Sequence, residues 1–154
     1  MIENVEGAGN RRRSAISFLG RSIAQRQLDL ALALGCRKIA CLSDRIDDRL
    51  LALQHETEAA GISFHMIASP RALGGVITST DEIVVIAEGL LPMAHEVPDL
   101  FDDGRAILAF PAEAGVSAGF QRIDLNHAWA GLLVMPGMLV ERLAELPPVC
   151  DVIG

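Results

Sequence analysis

Glu82-Ile83-Val84-Val85-Ile86-Ala87 is the stretch whose reading decides the fold. It is β-branched and nearly all apolar, and it has the length of one strand. A half-exposed strand would alternate polar and apolar residues; this one does not. It therefore reads as a central strand of a parallel sheet, covered on both faces.

Outward from it, helical and strand-like segments alternate. Upstream, residues 22–34 place Ile23, Leu28, Leu30, Ala31 and Leu34 at helical spacing. Gly35 then stops the helix. Residues 38–42 (KIACL) form a short apolar run of strand length. Ser43 or Asp44 is placed to cap a helix over 46–60, with Leu50, Leu51 and Leu53 on its inner face and Gly61 as its stop. Residues 62–67 (ISFHMI) read as a strand, and Ser69-Pro70 opens a short helix over 71–79 that Gly74-Gly75 weakens. Downstream come a short helix over 93–101, a strand over 105–110, a small-residue loop over 111–119 and a strand over 128–135. A last helix over 137–146 is halted by Pro147-Pro148.

This order predicts an α/β fold: a three-layer, mainly parallel (mixed) sheet with helices on both faces and right-handed crossovers. With 154 residues and no internal repeat or linker, residues 1–154 read as a single domain. In such sheets ligands bind beyond the carboxyl ends of the strands. The loops that matter are then the one near the chain start and those after Leu42, Ala87 and Phe110.

Composition narrows the function classes. The net charge of −7 disfavours general nucleic-acid binding, which needs a basic face. Of the thirteen basic residues only Lys38 is a lysine, so any mechanism needing an active-site lysine has one candidate. Three cysteines, Cys36, Cys41 and Cys150, give neither a disulfide framework nor a zinc pattern and read as reduced thiols. No apolar run reaches the ~18 residues of a membrane span. Residues 1–13 mix acidic residues with arginines and hold no apolar core of a signal peptide, so the expected location is cytoplasmic.

The candidate for chemistry is Val5-Glu6-Gly7-Ala8-Gly9-Asn10-Arg11-Arg12-Arg13, followed by a helix from Ser22. Glycines let backbone N–H groups approach a phosphate, and guanidinium groups add bidentate charge. The third glycine of a dinucleotide fingerprint is replaced by Arg12, and no Gly-Lys-Ser/Thr of a P-loop follows. A flexible basic tail is the alternative reading of the same residues.

Gly7-Ala8-Gly9-Asn10-Arg11, then Phe18-Leu19-Gly20-Arg21-Ser22, Gln25-Arg26-Gln27-Leu28-Asp29 and Leu34-Gly35-Cys36 before a strand, together resemble the opening of the nucleotidyltransferases of the GT-A, or nucleotide-diphospho-sugar transferase, fold. The likeness continues through 81–89 and 128–131. It implies a GT-A/Rossmann-like domain, here a shortened one. It implies a nucleoside triphosphate whose phosphates lie on Gly7, Ala8, Gly9, Asn10, Arg12 and Arg13. Arg11 would be the catalytic group, steadying charge as pyrophosphate leaves. It further implies Mg²⁺ and a small phosphorylated acceptor. Glu88 stands where the family carries its metal-binding Asp, and the family's lysine after the glycine-rich loop has no counterpart within 13–19. Those two departures fit either an active or a decayed member.

Asp124-Leu125-Asn126-His127 is a second polar constellation. Asp124 and Asn126 are the candidate substrate contacts, able to orient a hydroxyl or a cation. The alternative is a turn held by Asx hydrogen bonds. The segment reaches the ligand edge only if the strand after it runs antiparallel. Trp129 reads as core, and His55, His65 and His95 lack metal-ligand spacing.

Two other readings of the chain stand beside the transferase. One is a non-catalytic regulatory or assembly module, for instance a homodimer, using Leu90, Leu91, Met93, Met135 or Met138 as an apolar surface. The other is a nucleotide sensor that binds without turnover.

Overall fold

A computed structural model of the protein describes residues 15–91 and 105–145. It is a mixed α/β fold with small sheets. Strands β1 (Ser17–Phe18) and β2 (Arg21–Ser22) form a short antiparallel hairpin that leads into helix α1 (Ile23–Ala33). Strand β3 (Lys38–Leu42), helix α2 (Asp48–Ala59) and strand β4 (Ser63–Ile67) make one β-α-β unit, with β3 and β4 paired in parallel. A 3₁₀ helix (Pro70–Gly75) leads to β5 (Glu82–Ile86). Then come β6 (Ala106–Pro111), helix α3 (Ala112–Ser117), β7 (His127–Pro136), α4 (Met138–Glu141) and a closing 3₁₀ turn (Arg142–Glu145).

The second sheet has the order β5-β7-β6, and β7 is antiparallel to both neighbours. This corrects the expected mainly parallel sheet: among the described residues only β3 and β4 pair in parallel. The 82–86 run, expected as a central strand covered on both faces, lies at the edge of this sheet with β7 in the centre, and its residues are half-buried to exposed. The cause is local. Residues 121–123 fold back on 127–129 through the bonds Trp129 N–H to Gln121 O and Ile123 N–H to His127 O, at 2.7 and 2.9 Å. That tight reversal launches β7 against the direction of β5 and β6.

Other boundaries shift for equally local reasons. Asp47, not Ser43 or Asp44, caps α2, accepting from Leu50 N–H at 2.9 Å. Leu50 is buried, but Leu51 faces out, and Thr57 completes the inner face by bonding its hydroxyl to Leu53 O at 2.7 Å. The small-residue stretch read as a loop forms α3. It packs so closely on β7 that a Cβ on Gly115 would lie 2.6 Å from the Ala128 Cβ. The helix expected over 93–101 lies outside the described residues.

The core forms where α1 crosses the second sheet. Leu30 and Leu132 are almost fully buried against Leu34, Val84, Ile86, Leu90 and Leu108. Burying each such leucine contributes about 1.5–3 kcal/mol. At the amino end of β5, Lys38 from the start of β3 bonds Asp81 at 2.9 Å and reaches Val76 O at 3.4 Å. The chain's lone lysine is thus engaged in tying the two sheets together at their starts.

Asp81 also accepts from Thr78 N–H at 2.8 Å. Chiefly through that bond, and then through Lys38, its carboxyl is held down at about 2, against an ordinary value of 3.8. A lowered folded-state value means the interaction stabilises above the unfolded value and is lost as pH falls through the folded one. Asp81→Asn is therefore expected to be less stable than wild type at neutral pH. The gap should close as pH drops from about 4 toward 2. Urea melts at a series of pH values check this; a gap independent of pH would contradict it.

Candidate functional site

The site is built from the start of α1. Ser22 and Gln25 form a reciprocal capping box: Gln25 N–H donates to Ser22 Oγ at 3.2 Å, and Ser22 N–H donates to Gln25 Oε1 at 3.0 Å. Such a box satisfies two of the orphan N–H groups at a helix start. Gln25 also donates to Glu56 on α2, and Arg21 bridges Asp29 and Glu56, both at 2.9 Å. These partly exposed pairs are individually weak. Together they register the β1–β2 hairpin, α1 and α2 against one another. Arg26 closes the hairpin, donating to Phe18 O at 2.8 Å with its guanidinium 5.6 Å from the Phe18 ring centre.

One turn further on, the Gln27 amide donates to two carbonyls, Ala87 O at 3.0 Å and Leu90 O at 2.7 Å. Both belong to the turn just beyond β5, which closes through Leu90 N–H to Ala87 O at 3.2 Å and needs Gly89 at φ 82°. Helix α1 therefore starts at the carboxyl end of β5 and runs back along it. Glu88 lies in this gripped turn and is half-buried.

Strand β7 makes room for the turn. Residues Trp129 to Leu133 face only Ala109 to Ile107 on β6, so β7 bulges between them. Gly131 adopts φ 92° in the bulge, its carbonyl accepts from Ala87 N–H at 2.8 Å, and a Cβ there would lie 3.1 Å from the Ala87 Cβ. The Trp129 indole folds back to donate to Leu132 O at 3.2 Å. Bulges of this kind gather at sheet rims and beside ligand sites, where they re-aim the chain.

The antiparallel course of β7 also decides the position of the second constellation. Residues 124–126 precede β7 and His127 opens it, so the segment lies at the carboxyl end of β6, beyond the tip of β5. Asp124 Oδ1 accepts from Asn126 N–H at 2.7 Å and His127 N–H at 2.8 Å. Both Asp124 oxygens lie 3.0 Å from His127 Nδ1. These bonds, led by the one from Asn126, hold the Asp124 carboxyl below its usual range. The Asx turn holds, and the antiparallel course of β7 sets it at the carboxyl end of β6. Asn126 contributes its backbone N–H to the turn.

The sequence candidates thus divide. Glu88, Asp124 and Asn126 come to one end of the second sheet. Gly7, Ala8, Gly9, Asn10, Arg11, Arg12 and Arg13 lie outside the described residues. Asp81 goes to the opposite end, with Lys38. Gln27 and Gly131 were missed as site-builders; a glycine inside the apolar 128–135 run was the available signal. Among the described residues no three His, Cys, Asp or Glu side chains gather around a common point, and no helix is long and apolar enough to cross a membrane. The chain matches no family model and no curated protein.

Gln27→Ala removes both carbonyl bonds and leaves a gap beneath the turn. At about 1 kcal/mol per hydrogen bond, a loss of about 1–3 kcal/mol is expected. The Leu90 amide should also exchange faster with solvent than amides of β3 and β4. Native-state hydrogen exchange checks the pattern; uniform acceleration, or none, would contradict it.

Proposed function

We propose that this chain is a nucleotidyltransferase-like domain of GT-A-like, three-layer architecture. It binds a nucleoside triphosphate and transfers its nucleotidyl group to a small phosphorylated acceptor. The observation that carries the reading is the grip of Gln27 on the turn after β5. The helix that follows the 7–13 segment begins at the edge where Glu88 lies. A helix start placed beside the end of a strand is a common geometry of phosphate recognition in α/β proteins.

In this reading, Gly7, Ala8, Gly9, Asn10, Arg12 and Arg13 receive the triphosphate through backbone N–H groups and guanidinium charge. Arg11 balances charge on the departing pyrophosphate. Glu88 fits as a ligand for Mg²⁺, because that ion takes oxygen donors, keeps several waters and needs only one or two carboxylates beside the phosphates. When bound it supplies neutralisation of the phosphate charge. The Ser22–Gln25 capping box and the Arg21 bridges keep the start of α1 in register with the edge. A cytoplasmic location accords with a nucleotide substrate.

Thermal melts with ATP, CTP, GTP and UTP, with and without Mg²⁺, test this. One nucleotide at a hundred times its Kd should stabilise the protein by about 2.7 kcal/mol. Arg11→Ala should abolish the shift, and Glu88→Ala should abolish its Mg²⁺ dependence. No shift with any nucleotide would favour the assembly module instead.

A further inference from the structure

We propose that His127, held by Asp124, is the general base that takes the proton from the acceptor. The acceptor therefore attacks through a hydroxyl oxygen and not through its phosphate. This rests on the nucleotidyl-transfer reading above and names the substrate class for it.

The argument starts from the geometry of the pair. His127 Nδ1 lies 3.0 Å from each Asp124 oxygen, and the same carboxylate is fixed by two backbone N–H groups. A carboxylate can only accept, so Nδ1 carries a proton, and in the neutral ring the lone pair is on Nε2. No described residue bonds Nε2, and the ring is half-exposed. An imidazole with its tautomer set by an anchored carboxylate is the arrangement that lets histidine accept a proton from an attacking oxygen.

Placement is the second part. Ala87 meets β7 at Gly131, and His127 lies four residues further along the same strand. At about 3.4 Å per residue that separation is at most roughly 14 Å. The pair thus stands beyond the Glu88 turn, at the same end of the sheet, within the span of an extended nucleotide and its acceptor. Its charge fits a hydroxyl better than a phosphate. An attacking phosphate monoester oxygen is already ionised and has no proton to give up, and the Asp124 carboxylate would repel it.

The step balances as follows. The acceptor hydroxyl oxygen bonds to the α-phosphorus as its proton passes to His127 Nε2. The bond from that phosphorus to the bridging oxygen breaks, and pyrophosphate leaves with the electron pair. The imidazolium then returns its proton to water.

The test uses the whole chain with Mg²⁺ and each of the four nucleoside triphosphates, measuring pyrophosphate release. Acceptors are polyol and sugar monophosphates, with methyl phosphate as the acceptor that can attack only through phosphate. Wild type should release pyrophosphate with the hydroxyl-bearing acceptors and not with methyl phosphate. His127→Ala should lose about 10²–10⁴-fold, while keeping the nucleotide-induced thermal shift and the unliganded melting temperature. Added imidazole should restore part of the rate, which a structural role would not allow. Asp124→Asn keeps an oxygen for the turn but can donate to Nδ1, so it should also lose most activity.

Full activity in His127→Ala, turnover of methyl phosphate, or nucleotide binding without release for any hydroxyl acceptor would overturn the inference and leave nucleotide binding standing. A wild type with no nucleotide-induced shift would overturn both.

Discussion

The structure depends on the way α1 is fastened to β5. Leu30 and Leu132 close an apolar contact between helix and sheet, and Gln27 caps it by giving both its amide hydrogens to the carbonyls of Ala87 and Leu90. The apolar contact supplies most of the free energy and leaves the helix free to slide. The two directional bonds remove that freedom, because a shift of one residue along the helix would strand two partly buried carbonyls. Burial and hydrogen bonding here answer different questions, how strongly and where.

Everything placed at the carboxyl end of β5 follows from that register. The capping box starts α1 at a fixed point, and the Arg21 bridges hold the preceding hairpin to α1 and α2. The hairpin turns through Leu19 at φ 52° and Gly20 at φ 79°, a pair of left-handed residues that suits a two-residue reversal. Leu19 tolerates that backbone at some cost, so the tight turn is enforced by its surroundings. At the far end, Lys38 and Asp81 pin the starts of β3 and β5. The molecule is thus fastened by polar contacts at both ends and by leucines between them.

Much of this was legible from residues alone. The apolar spacing of Ile23, Leu28 and Leu30 marked α1, the KIACL run marked β3 to the residue, and the EIVVIA run marked β5 to within one residue. Those signals are local, and burial periodicity is a local property. Strand direction is not. The 128–135 run looks the same whether its neighbours run with it or against it. Only the bonds between 121–123 and 127–129 reveal the reversal that makes it antiparallel. Gln27 was equally silent, because a glutamine on a helix carries no mark of what it bonds sixty residues away. Asp124 and Asn126 were legible as a turn, and their position at the carboxyl end of β6 hung on the one fact the pattern could not supply. Gly7 to Arg13 were legible only as chemistry, glycine for close approach and arginine for charge.

Backbone amide chemical-shift mapping with a magnesium nucleoside triphosphate tests the central claim most directly. The account predicts that the largest changes fall on residues 7–13, with further ones at Ser22, Gln25, Gln27 and the 87–90 turn, smaller ones at 124–127 and none at Lys38 or Asp81. Changes centred on Lys38 and Asp81, at the other end of β5, would contradict it.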